Sequence, residues 1–370
     1  SLTGLGGAEQ LPALQLEGNA RLATLDGLGP VTGASNVDLR DVALTSLRGL
    51  EGLTEVETLW IDGAPDLSDL RGLDGLTVAN TVYVQATGLT SFAGLDALTT
   101  ITEDLGIADN PALVDLGGLG GLREAEGVAI ARNGLVSLAG LGDGLVVRVS
   151  FAVHDNPALT SGGAVSIADV ESLSITGNDA LADLAGWESL ARTGTLLVDD
   201  NPALTSLAGL SGLADGGEVT IADNEALRTL GLGLVTAERL FVTDNPALSD
   251  VAVPLAYAGE LVLSGSPALT SLAGLDALAT ASTVEISGNG LTSLAGLGGL
   301  TSVYRLAIED EVHLTSLAGL SDALEVGDML RLAGLDALTN LDGLAFARTR
   351  ALYLDGNDAL VDLSGVASPG

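Results

Sequence analysis

The sequence predicts a β-rich solenoid, a chain wound into stacked coils with one short parallel strand per turn. Three observations predict it. The Leu that closes "NPAL" and its equivalents recurs sixteen times, from Leu22 to Leu360, at spacings of 21 to 24 residues. Every unit repeats one internal order: an alternating segment, an Asn-bearing corner, and a Leu-x-x-Leu-x-x-Leu return. No linker breaks that register, so residues 1–370 read as a single array of about sixteen coils. A period in the twenties marks repeat architectures, in which a unit buries its apolar face only by stacking on its neighbours.

The alternating segment comes first in each unit. Val219-Thr220-Ile221, Val284-Glu285-Ile286 and Leu173-Ser174-Ile175 run apolar, variable, apolar. Period two reads as a brief strand whose outer residues point inward and whose middle residue meets solvent.

The corner follows, with Asn at Asn19, Asn110, Asn133, Asn156, Asn178, Asn201, Asn224, Asn245, Asn289 and Asn357. A buried Asn can bond the backbone of its own turn and of neighbouring coils, so these residues are expected to form a structural ladder. The Pro of "DNPAL" fixes φ and stiffens the turn. Where Ala64, Thr87, Ser266 or Glu311 replaces Asn, the turn should be less well tied.

The return closes the unit, as in Leu204, Leu207 and Leu210. Three-residue spacing suits a short extended or 3₁₀-like back wall rather than an α-helix. The glycines of "AGLSGL" agree, because Gly is costly inside a helix.

Composition narrows the function. Hydrophobic residues make up 47% of the chain and aromatics only 3%, so the core is built from thin aliphatic layers. The net charge is −35 and every one of the 14 basic residues is Arg. Nucleic acid is excluded as a partner, since binding it needs a basic footprint. An anionic membrane surface is disfavoured for the same reason. The acidity fits high solubility, a salty or Ca²⁺-containing exterior, or a high-salt habitat. Cysteine is absent, which removes disulfides, thiol nucleophiles and zinc-thiolate sites. "SLTGLGGAEQ" has neither a basic nor an apolar signal region, so either a cytosolic protein or, the preferred reading, a mature or trimmed secreted form is expected. No stretch approaches the roughly 18 apolar residues of a membrane span.

The pattern L-x-V-x-I-x-x-N-x-x-L-x-x-L-x-x-L resembles the leucine-rich repeat, and Ile286-Ser287-Gly288-Asn289-Gly290-Leu291 matches its L-x-x-N-x-L core directly. The "DNPALTSLAGL" form of Asp200–Leu210 looks closest to bacterial and archaeal cell-surface repeats related to the receptor L domain. The resemblance covers essentially the whole chain. It implies a right-handed coil and a non-enzymatic recognition or adhesion protein, extracellular or at the cell surface, that binds a protein or glycan.

Catalytic residues are expected to be none. His154 and His313 lie many coils apart, whereas a metal site or Ser-His-Asp triad needs close partners. The glycine runs match no phosphate loop, and no lysine exists to complete one. No cofactor is expected beyond Ca²⁺, for which Asp199, Asp200 and Asp223, or Glu309, Asp310 and Glu311, are candidate ligands. The plainer reading of the acidic residues is solvated turns. Asp109, Asp155, Asp200, Asp223 and Asp244 precede the ladder Asn, and a second column, Asp69, Asp115, Asp183, Asp250 and Asp362, alternates with serines.

The candidate ligand face is the middle residue of each strand. From Trp60 that column reads Trp60, Tyr83, Gly106, Ala129, Ala152, Ser174, Leu197, Thr220, Phe241, Val262, Glu285, Ala307, Arg331 and Tyr353. Trp60 and Tyr83 with Asp62 and Gln85 form one candidate patch, Phe241 with Arg239 a second, and Tyr353 with Arg331 a third, because exposed aromatics make good anchors. Two alternatives use whole columns or ends. Thr45, Thr90, Thr205, Thr270, Thr292 and Thr315 form a hydroxyl ladder of the kind seen in ice-binding solenoids, interrupted by Val114, Val136, Ala182 and Arg228. Neither end shows a capping helix, and open coil edges invite copies of the chain to stack end to end into a fibre.

Overall fold

Strand, corner and leucine return alternate along the chain as the periodicity requires. In the computed structural model the described residues are 10–28, 31–142, 144–163, 165, 167–344 and 349–363. The chain divides into two units, Ser1–Leu181 with Ala185–Ser189, and Ala182–Leu184 with Leu190–Gly370.

Unit 1 carries β1 (Gln10–Glu17), β2 (Gly33–Arg40), β3 (Glu55–Ala64), β4 (Val78–Thr87), β5 (Thr100–Ile101), β6 (Asp104–Ala108), β7 (Glu124–Ala131), β8 (Val146–His154) and β9 (Asp169–Thr176). All its pairings are parallel, and β5 and β6 share one coil, both lying against β4. Unit 2 carries β10 (Arg192–Asp199), β11 (Asp215–Ala222), β12 (Thr236–Thr243), β13 (Tyr257–Ser264), β14 (Thr280–Ser287), β15 (Ser302–Glu309), β16 (Glu325–Ala333) and β17 (Ala351–Asp355). Each pairs in parallel with the next.

Side-chain alternation sets which face is core. Leu59 and Ile61 are fully buried while Trp60 between them reaches the outer face; Val219 and Ile221 are buried around Thr220 in the same way. Stacked Val, Ile and Leu pairs therefore make one wall of each coil's core.

The leucine return makes the other wall. Leu204, Leu207, Leu210 and Leu213 are each 0% exposed. Successive turns close through three-residue hydrogen bonds, Leu73 N–H to Leu70 O at 3.1 Å and Leu76 N–H to Leu73 O at 2.9 Å in one coil. Ala208–Leu210 is the regular 3₁₀ helix among the described residues. The back wall is thus a chain of tight turns.

Its glycines have a reason that helix avoidance does not supply. Gly94 sits at φ 107°, and a Cβ there would strike the backbone of Leu70 in the preceding coil; Gly296, at φ 112°, faces Leu272 in the same way. Positive φ and close backbone approach both demand Gly.

Candidate functional site

The corners are built first, because they decide which polar groups stay free for function. The side chain of Asn156, 0% exposed, accepts the N–H of Asn133 at 3.0 Å. Its amide donates to Ile130 O at 3.1 Å and His154 O at 2.8 Å. Asn224 repeats this in unit 2, accepting from Asn201 N–H at 3.2 Å and donating to Val198 O at 3.1 Å. Asn110, Asn133, Asn178, Asn245, Asn289 and Asn357 each donate likewise to a carbonyl of an earlier coil, and Asn201 donates to Asp199 O.

Glu311 departs from its expectation as a loose substitute. It is 0% exposed, and its carboxylate accepts three N–H groups: Asn289 N and Nδ2, both at 2.9 Å, and Leu291 N at 3.1 Å. A buried carboxylate saturated by donors ties the turn as an Asn does. Thr87 and Ser266 are also joined to the ladder, their N–H groups reaching Asn110 and Asn289.

The residue before the ladder position is the sharpest bend. Asp41, Ala86, Asp109, Arg132, Asp155, Asp200, Asp223, Asp244 and Asp310 all adopt φ between 49° and 57°, and Gly63, Gly177, Gly265 and Gly334 take φ of 63° to 67° at the same place. Gly is free there and Asp tolerates it best among charged residues. The Asp column is therefore set by backbone conformation. The second acidic column has a turn role too: Asp69 and Asp115 accept the N–H two residues on, at 3.0 and 2.8 Å, as Ser46 and Ser206 do at 3.1 Å.

The two calcium trios do not converge. Among the described residues no three Asp, Glu or His side chains come together so as to hold a metal ion. Glu311 is turned inward, and Glu309 Oε1 takes Arg331 Nε at 2.7 Å. Asp199, Asp200 and Asp223 line an open cleft of about 610 Å³ with Glu225 and Asp244. Burial, then the charges of Asp223 and Asp200, push the Asp199 carboxyl above its ordinary value. In unit 1 the opposite holds: Arg132 bonds Asp109 through two nitrogens at 2.7 and 2.9 Å and keeps its carboxyl below the usual range.

The hydroxyl ladder is also occupied. Thr45, Thr90, Thr205 and Thr292 donate to carbonyls of the preceding coil at 3.2 to 3.4 Å. His154 Nδ1 lies 2.6 Å from Thr176 Oγ1, and burial lowers the pKa of its ring.

What remains is the outward strand face. In unit 1 the register places Trp60 beside Tyr83, then Gly106, Ala129, Ala152 and Ser174. The rings of Trp60 and Tyr83 lie 4.8 Å apart, tilted by 54°. The Arg40 guanidinium sits 4.8 Å over Trp60 and is held by Asp38 at 2.7 Å. Tyr83 lies against Gly106, where a Cβ would strike its ring. Burial, then Asp104 and Glu103, raises the Tyr83 pKa. Asp62 and Gln85 pair beside the rings. Trp60 Nε1 is buried without a hydrogen-bond partner among the described residues.

In unit 2 the column runs Leu197, Thr220, Phe241, Val262, Glu285, Ala307, Arg331 and Tyr353. Arg239, two residues before Phe241, is held by Glu218 at 3.0 Å with Glu260 at 3.8 Å. Arg331 is held between Glu309 and Asp355 at 2.7 and 2.8 Å, beside Tyr353, which is 48% exposed. The two cations serve neighbouring coils first.

One parallel strand per coil, tight leucine turns behind it and an Asn ladder between coils decide the architecture. Each unit is a leucine-rich-repeat coil. No family model matches the chain, and no curated protein does. Among solved structures it is similar to internalin InlF of Listeria monocytogenes, at 18% identity over 80% of each chain and a TM-score of 0.42. It is also similar to YopM of Yersinia enterocolitica, at 18% identity over 95% of this chain and 91% of that one, TM-score 0.25. A plant peptide hormone receptor, RGFR1 in complex with RGF2, matches at 14% identity over 93% and 70%, TM-score 0.24. The leucine-rich-repeat assignment rests on the coil geometry itself.

Sequence reasoning missed the left-handed column, although its signal was present. The residue before the corner is Asp or Gly at nearly every unit, and those are residues that accept positive φ. It also missed the unpaired indole, which only the packed neighbours reveal.

Proposed function

We propose that the chain is a non-enzymatic recognition or adhesion scaffold, working outside the cell or at its surface and binding a protein or glycan through the outward strand face. The observation that carries this reading is the Trp60–Tyr83 ridge. Its indole N–H is buried yet unbonded among the described residues, on a face that the fold does not need for packing. Corner amides and the turn hydroxyls of Thr45, Thr90, Thr205 and Thr292, by contrast, are taken up by the backbone. An aromatic ridge flanked by Asp62 and Gln85 offers stacking area and polar directionality together.

An exterior setting agrees with the acidity and the lack of lysine. No helix among the described residues is long and apolar enough to cross a membrane. The unbroken repeat register from Leu22 to Leu360 supports one functional array over residues 1–370. The test is binding of the full chain to glycan and surface-protein arrays, repeated with Trp60→Ala and Tyr83→Ala. The reading expects a class of binder lost in both variants with melting unchanged; arrays in which no binder depends on any residue of the outward strand face remove it.

End-to-end self-assembly is the second reading. β1 and β17 each pair on one side only among the described residues. Concentration-dependent filaments in electron micrographs would favour it, and a monomer at high concentration would end it.

A further inference from the structure

We propose that the outward face of β10–β13 docks a basic protein segment, one presenting apolar side chains interleaved with arginine or lysine. This rests on the reading that the strand face is the recognition surface, and it names the chemistry of the partner for unit 2.

Leu197, Thr220, Phe241 and Val262 are consecutive neighbours in one column. At about 4.8 Å per strand the stripe is roughly 14 Å long, the reach of a few extended residues. The fold does not require it, because Leu196, Val198, Leu240 and Val242 fill the core from the other face. A partly buried Phe, with Val262 on one side and the Thr220 methyl-bearing side chain on the other, is the kind of anchor on which binding energy concentrates.

Charge selects the occupant. On one side of the stripe Glu218 and Glu260 outnumber the Arg239 between them. On the other, Asp199 follows Leu197 on the same face and borders the cleft with Asp200, Asp223, Glu225 and Asp244. At this carboxylate-flanked stripe the acidic face of a second copy would meet like charge, as nucleic acid and anionic lipid would. A neutral glycan would stack on Phe241 but desolvate the flanking carboxylates without pairing them. A cationic segment satisfies both features: its apolar side chains cover the stripe while its charged ones face the carboxylates. Such complementarity steers encounter and excludes acidic competitors.

The experiment uses the full chain, immobilised, with a displayed library of random linear peptides and a parallel glycan array. The proposal expects enriched peptides that alternate basic with aromatic or aliphatic residues. Their affinity should fall about tenfold or more in the Leu197→Ser/Phe241→Ser double variant and be unchanged in Trp60→Ser. It should also fall about tenfold between roughly 50 and 500 mM salt. Thr220→Arg, which adds a cation on the solvent side without touching the core, should abolish binding with melting unchanged; this keeps the result readable if the double variant unfolds. Peptides without basic bias, or basic peptides bound equally by Thr220→Arg, overturn the inference and leave the general surface reading intact. Peptides lost only in Trp60→Ser move docking to unit 1 and overturn it as well. Glycans bound at this stripe instead of peptides overturn it, and no binder of either kind overturns both readings.

Discussion

The left-handed corner column looks different in the two units although the backbone asks the same of both. In unit 1 it reads Gly18, Asp41, Gly63, Ala86, Asp109, Arg132, Asp155, Gly177, so no two carboxylates are neighbours and Arg132 clamps Asp109. In unit 2 Asp200, Asp223 and Asp244 follow one another before Gly265 and Gly288 interrupt. The Asp109 carboxyl is accordingly held low by Arg132, whereas that of Asp199, beside the run, is pushed up by burial and by Asp223 and Asp200. One conformational requirement has been met with two electrostatic solutions. Unit 1 spaces its carboxylates apart and pairs one of them with Arg132; unit 2 leaves a standing patch of negative charge.

The ladder beneath both columns should not share that difference. Asn156→Ala in unit 1 and Asn224→Ala in unit 2 each strand a backbone N–H and at least one carbonyl in a buried corner. Each is expected to cost about 3 kcal/mol, the largest effect among these predictions. Denaturant titration followed by circular dichroism should show equal shifts; a marked inequality would mean the units differ in packing as well as charge. Glu311→Ala, which leaves Asn289 N–H and Leu291 N–H unpaired, should cost about 2 kcal/mol. Glu311→Gln, which keeps one acceptor oxygen, should cost about half as much.

Much of this was legible in the sequence, and the reason is geometric. A strand's side chains alternate with a period of two, so once the leucines are aligned the outward column follows, and within each unit the observed register agrees with it, from Trp60 to Ser174 and from Leu197 to Tyr353. Contacts across coils were less legible. That Arg331 would join Glu309 and Asp355, or that Tyr83 would lie against Gly106, depends on rotamers about 22 residues apart in sequence. The acidic residues were less legible for another reason: Asp serves equally as cation ligand, turn acceptor and left-handed residue. Composition cannot say which. The φ of 52° at Asp200 and Asp223 identifies the third role.

Titration should separate the units next, with opposite signs. A carboxyl whose pKa is raised on folding destabilises the charged native state, so stability near Asp199 should grow as pH falls through that raised value toward 3.8. A carboxyl whose pKa is lowered contributes stability above the unfolded value and loses it as pH falls through the folded one, so Asp109 should weaken its corner below 3.8. Both groups are partly exposed, so solvent and salt screen these effects. Hydrogen exchange at the two corners between about pH 5 and 3 reads them separately. Asp223→Asn should remove part of the unit 2 response and stabilise at neutral pH by a few tenths of a kcal/mol at low salt.

A comparably small effect tests whether the two solutions can be interchanged. Ala86 holds φ 51° with neither the freedom of Gly nor the local hydrogen bonding of Asp. Replacing it by Gly removes about 1–2 kcal/mol of left-handed strain and adds about 0.5–1 of backbone entropy, for a net gain of about 0.5 kcal/mol. Replacing it by Asp relieves less strain and sets a carboxylate next to Asp109, recreating in unit 1 the run that unit 2 carries. Ala86→Gly should therefore melt above Ala86→Asp at low ionic strength, and the gap should narrow as salt screens the added repulsion. A gap unchanged by salt would mean that backbone conformation alone separates the variants. In that case the alternation of charge along unit 1 has no energetic consequence, and the contrast between the corners reduces to one of sequence.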